Sequence, residues 1–175
     1  RAQDGGGHRL EHRGLSLSFE ANQGQADSRV RFLARGRGYS LLLTDNEALL
    51  KLPAAGQALA DEKLPWIRVQ HVGANPKPLV KGSDLTPAKS HYFLGNNLGT
   101  WRTNVPHYAK VGYQGVYPGV DVVYYGNEGQ LEYDYVLASG VDPGVITLEF
   151  QGVDGMSIDG AGDLVIASGA NELCL

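Results

Sequence analysis

The fold class follows from one stretch, GVYPGVDVVYYGNEGQLEYDYVLASGVDPG, residues 115–144. Two runs of β-branched and aromatic residues, VDVVYYG and QLEYDYVLA, flank a short turn containing glycine, which is the sequence mark of an antiparallel hairpin. Side chains alternate along a strand. Leu131, Tyr133, Tyr135 and Leu137 therefore share one face, and Glu132, Asp134 and Val136 share the other. If Tyr125 pairs with Leu131, Asp121 falls on the face away from the other two acids.

The same punctuation runs outward in both directions. Toward the N-terminus, Val30, Phe32 and Ala34 alternate with Arg31, Leu33 and Arg35, and YSLLLT and EALLKL follow around Asp45-Asn46. WIRVQHVGA sets Trp66, Arg68 and Gln70 against Ile67, Val69 and His71. Toward the C-terminus, VITLEFQG reads as a strand, and MSIDGAGDLVIAS as strand, glycine turn and strand. The three prolines of NPKPLVKGSDLTPAKSHYFLGNN predict an extended connection crossing a sheet edge, anchored by Val80 and Tyr92-Phe93, with WRTNVPHYAKVGYQGVYPG of similar character. PAAGQALADEKLP, residues 53–65, reads as an excursion loop. No amphipathic helix longer than two turns is expected.

At 175 residues the chain makes one domain and can bury a core without covalent staples. The single cysteine, Cys174, rules out an internal disulfide and is a poor nucleophile so close to the end. A formal net charge of −4 with no Lys/Arg run argues against a nucleic-acid partner. No apolar stretch approaches the ~20 residues needed to cross a bilayer. The opening RAQDGGG has no apolar signal core, so a signal peptide would already have been removed.

Several segments together, SFEANQGQADSRVRFLARGRGYSLLLT, HVGANP, the long run from Lys89 to Asp154 and IDGAGDLVI, resemble the N-terminal β-domain that precedes SBBP-type β-propeller repeats in exported bacterial proteins. The similarity spans about residues 15–168. The resemblance implies a secreted or cell-surface accessory domain and carries no catalytic residues with it. The ending ASGANELCL departs from the polar strand that the resemblance would place there.

Five constellations are candidates for chemistry. Glu132 and Asp134 lie roughly 6.5–7 Å apart at Cα on a strand, inside the ~5–9.5 Å carboxyl spacing of glycosidases, with Asp121 as a third acid. The simpler reading is a solvated strand face whose acids discourage edge pairing. Trp101, Tyr124, Tyr125 and Tyr133 are candidate glycan-stacking rings, against the alternative that the tyrosines fill the core. The amide-rich turns ANQGQ and GNNLG satisfy their own backbone or, near Trp101, read sugar hydroxyls. His8 and His12 lack a third ligand, and DGAGD (159–163) lacks the oxygen ligands of a calcium loop. No metal or cofactor is expected.

The sequence thus predicts an all-β antiparallel sandwich with Gly/Pro-rich connections and little helix. A leader covers 1–14, the domain 15–168 and a C-terminal tail 169–175. The expected role is a non-catalytic accessory or binding module that meets extracellular glycan or neighbouring repeats. The alternative is a glycoside hydrolase using Asp121, Glu132 and Asp134.

Overall fold

The computed structural model describes residues 17–36, 38–52, 66–93, 95–169 and 171–174. The leader at 1–14, with His8 and His12, and the excursion at 53–65 lie outside the described residues.

The protein is all-β and antiparallel. No α-helix occurs among the described residues, only single 3-10 turns at Leu98–Thr100 and Pro143–Val145. Four short strands come first: β1 (Phe19–Ala21), β2 (Phe32–Gly36), β3 (Tyr39–Leu43) and β4 (Glu47–Lys51). β5 (Trp66–His71) is followed by two long strands, β6 (Leu79–Tyr92) and β7 (Arg102–Tyr117). The quoted hairpin forms β8 (Val120–Asn127) and β9 (Gln130–Leu137). β10 (Leu148–Gln151), β11 (Gly155–Ile158), β12 (Leu164–Ser168) and β13 (Asn171–Cys174) complete the chain.

β7 is the spine of a ten-stranded sheet. One of its edges is taken throughout by β6. Its other edge is shared end to end: β1 pairs at His107 and Tyr108, and β8 takes over from Lys110. The two successors abut so closely that a Cβ on Gly126 of β8 would lie 2.5 Å from Leu17 Cβ. Two wings leave this shared edge, β1-β2-β3-β4-β5-β10 and β8-β9.

The main sheet curls strongly into a half-barrel, which corrects the expected sandwich. The physical reason is the shared spine: wings attached to one strand can turn toward each other without separating into two layers. Their far ends are tied by side chains. His71 Nε2 of β5 lies 2.8 Å from the Tyr135 hydroxyl of β9. The Tyr117 hydroxyl, at the end of β7, donates to the Val72 carbonyl at 2.9 Å. β11, β12 and β13 form a separate three-stranded sheet. β13 therefore stands where a C-terminal tail was expected.

The core fills the concave side. Phe19, Leu41, Leu43 and Ile67 from the first wing meet Val111, Val120 and Val122 from the spine and hairpin, each at most 1% exposed. Burying side chains of this kind contributes roughly 1.5–3 kcal/mol each.

The segments expected as extended connections are instead the two longest strands, of 14 and 16 residues. Their prolines are accommodated by irregular pairing. Pro87 falls within the bulge where the register shifts between Leu85 and Lys89. The β1 ladder stops at His107, one residue short of Pro106, which has no N–H to continue it.

Candidate functional site

The acids of the quoted hairpin lie on its outer face. β8 and β9 pair Tyr125 with Glu132, Val123 with Asp134 and Asp121 with Val136. The register that would have sent Asp121 to the opposite face does not occur. All three carboxylates share one side, yet each has a local partner. Asp121 Oδ1 accepts the Gly115 N–H at 2.7 Å, capping the bulge where β7 departs from regular pairing with β8. Glu132 Oε1 accepts from Asn127 Nδ2 at 2.8 Å. Hydrogen bonding to Asp134, then to Glu132, pushes the exposed Tyr125 hydroxyl up to about 12. Carboxylates on an outward face differ from the cleft-bound acid pair that glycoside hydrolysis uses.

The other tyrosines face inward. Tyr124 is 6% exposed and belongs to the core, where burial pushes its hydroxyl far above the ordinary phenol range. Tyr133 is half-buried against that core, with its ring centroid 5.7 Å from those of both Tyr124 and Tyr135. Tyr124, Tyr133 and Tyr135 line a narrow crevice of about 40 Å³ between the two wings. His71, Leu131 and Leu148 complete its apolar wall. Burial there holds His71 below the ordinary imidazole range.

Trp101 belongs to a different place, the tip of the β6–β7 hairpin. Its ring meets Phe93 edge-on at 4.9 Å, and Phe93 lies parallel to the His91 ring at 6.3 Å with 6° between planes. Phe93 is 60% exposed and the neighbouring Leu98 70% exposed. The patch is held from below. Trp101 Nε1 donates to the Gly95 carbonyl at 3.1 Å, and Arg102 donates to the carbonyls of Gly99, Trp101 and Gln23 at 2.7–3.0 Å. Asn97 Oδ1 caps the Gly99 N–H at 2.9 Å. Among the expected glycan-stacking residues, Trp101 and Tyr125 are thus on the outside, while Tyr124 and Tyr133 lie within the half-barrel.

The remaining sequence features resolve locally. In ANQGQ, Asn22 Nδ2 donates to the carbonyls of Asp27 and Val30, and its Oδ1 accepts the Gly24 N–H. In DGAGD, Asp159 Oδ1 accepts the N–H groups of Ala161, Gly162 and Asp163 at 2.8–3.0 Å, which hold its carboxyl below the usual range. Among the described residues no group of three or more His, Cys, Asp or Glu side chains is arranged to hold a metal ion.

A polar relay crosses four strands on the outer side. Glu20 is buried and takes Arg35 at 2.5 Å and the Tyr92 hydroxyl, and Arg35 also donates to Tyr92 at 3.0 Å. The adjacent His107 lies 2.9 Å from Ser18 Oγ and 2.7 Å from Ser90 Oγ. Burial lowers His107 and the nearby Glu20 opposes the shift. No local sequence signal marks this relay, because its members come from β1, β2, β6 and β7 and from the residue before β1. It ties the edge strand β6 across the spine to β2.

The chain is therefore an antiparallel half-barrel domain with an aromatic hairpin tip and an apolar seam. Residues 19–174 match the family described as a domain of unknown function, DUF7948, and the chain belongs to that family. No curated protein and no solved structure matches it.

Proposed function

We propose that this domain is a non-catalytic binding module of an exported bacterial protein, and that it holds extracellular glycan at the tip of the β6–β7 hairpin. In the arrangement that its sequence resembles, it precedes propeller repeats and presents this tip beside them. The observation that carries the reading is the ring cluster of exposed His91 and Phe93 with half-buried Trp101, fixed from beneath by Arg102. Exposed rings already held in place stack on the apolar faces of sugars without losing side-chain entropy on binding. The hydrolase alternative has less support, because Asp121, Glu132 and Asp134 lie on an outward face and are engaged by Gly115, Asn127 and Tyr125.

Affinity electrophoresis in gels containing soluble polysaccharides tests this. The protein is expected to be retarded by at least one polysaccharide. A Phe93→Ala/Trp101→Ala double variant with unchanged far-ultraviolet dichroism should run free. Release of reducing ends that disappears in Glu132→Gln would replace the binding module with an enzyme.

A further inference from the structure

On the side of the first wing away from the core, a groove of about 520 Å³ runs across β3, β4 and β5. Its floor is apolar: Leu42 and Leu49 are direct cross-strand partners, and Trp66 enters from β5. Its walls are polar, formed by the turns at Asp27–Val30 and Thr44–Glu47 with Arg68.

The walls carry charge but little net charge. Asp27 pairs with Arg29 at 2.9 Å, Asp45 with Arg31 at 3.3 Å and Glu47 with Arg68 at 3.5 Å. Each carboxylate is thus matched by a guanidinium. Lys51, outside these pairs, is buried with its Nζ over the Trp66 ring at 5.4 Å. What remains is a dense array of planar donors and acceptors around an apolar strip. The Asn46 side-chain amide and the Trp66 indole lie beside it.

The turns that form the walls are already fixed. Thr44 Oγ1 accepts the N–H groups of Asn46 and Glu47, and the Tyr113 hydroxyl donates to the Thr44 carbonyl from the core side at 2.6 Å. Asp27 Oδ1 accepts the Arg29 N–H, and Asn22 braces the same turn. Binding here orders little that is not already ordered.

We propose that this groove is a second ligand site, separate from the hairpin tip, and that it takes an uncharged oligosaccharide. Hydroxyls around the edge of a pyranose match the paired carboxylates, guanidinia and the Asn46 amide. Its apolar CH face matches Trp66, Leu42 and Leu49. A cationic glycan would have to separate one of the three ion pairs to gain a partner, and an anionic one would meet, beyond those pairs, only a buried ammonium at Lys51.

The two tryptophans allow a direct test, because Trp101→Phe leaves Trp66 as the single tryptophan reporter. In that variant, titration with neutral β-1,4-glucan and β-1,4-mannan hexamers is expected to give a saturable change in Trp66 emission with at least one of them. The affinity should be flat across about a tenfold change in ionic strength, as a neutral ligand requires. By calorimetry, Trp66→Ala and Asn46→Ala should each weaken that sugar by about tenfold or more, with the thermal midpoint of Asn46→Ala unchanged. Silence of Trp66 toward both hexamers overturns the groove assignment. So does binding that survives both groove variants but is lost in Phe93→Ala/Trp101→Ala, an outcome that supports the hairpin tip alone. Binding that weakens steeply with salt, or that prefers oligogalacturonate, overturns the neutral-ligand assignment.

Discussion

The two long hairpins of this protein are built by opposite rules. β8 and β9 pair eight residues against eight with no irregularity, and their two-residue turn sets Glu128 and Gly129 at φ of 49° and 85°. Positive φ at both positions gives the turn the twist that adjoining strands need. The β6–β7 hairpin is longer and broken. Its register shifts twice, and Asp84 and Asn104 adopt φ of 57° and 58°. Regular pairing sends every second side chain of β8 and β9 into the half-barrel, whereas broken pairing lets β6 bend and carry His91 and Phe93 into solvent against a half-buried Trp101. The regular hairpin supplies stability, and the irregular one supplies a surface.

This contrast predicts a large asymmetry in truncation. Tyr124→Ala, at the inner face of the regular hairpin, should cost about 3–5 kcal/mol in urea unfolding. Phe93→Ala at the irregular tip should change stability by no more than about 0.5 kcal/mol. Equal losses would break the division of labour between the two hairpins.

A smaller effect tests how β6 packs on its spine. A Cβ on Gly82 would lie 2.5 Å from the Tyr108 ring, which covers the glycine. Gly82→Ala should therefore cost about 1–3 kcal/mol by forcing that ring aside. A neutral result would mean that the ring is free to move.

The seam between the wings responds to pH. Burial lowers the folded-state pKa of His71 below its ordinary value of 6.5, so the unfolded chain takes up this proton first as pH falls. Stability should drop from pH 6.5 down to the lowered folded value and level off below it. Its slope is at most about 1.4 kcal/mol per pH unit, the share of one proton. His71→Gln should flatten that segment of the stability profile, and an unchanged slope would remove His71 as its source.

The mildest substitution concerns the junction of the two hairpins. Asp121→Ala removes the cap on the Gly115 N–H and should cost about 0.5–1.5 kcal/mol. Polysaccharide binding should be unaffected. Loss of binding with intact stability would make Asp121 a ligand residue.

How much of this was legible follows the same division. The alternation of LEYDYVL reported which side chains turn inward, and Tyr133 and Tyr135 do share the inner face with Leu131 and Leu137. The strands around Asp45-Asn46 and the pair flanking DGAGD were legible for the same reason. β6 and β7 were not, because Pro78, Pro87 and Pro106 argue against a strand when read one residue at a time. Bulges absorb that conflict, and a bulge is defined by the partner strand as much as by its own residues.

The sequence by itself determined the strand character, the turns and the inward and outward sides of the regular segments, since these depend on backbone sterics and a two-residue period. It singled out Trp101 by residue type alone. Only the tertiary structure decided that β1 and β8 share one edge of β7, that the sheet curls into a half-barrel, and that Asp121 serves a bulge. It also decided that Trp66 lies in a charge-balanced groove. These features depend on contacts between residues far apart in the chain, as with His71 and Tyr135 or Arg35 and Tyr92, and local preference carries no information about such distant pairs.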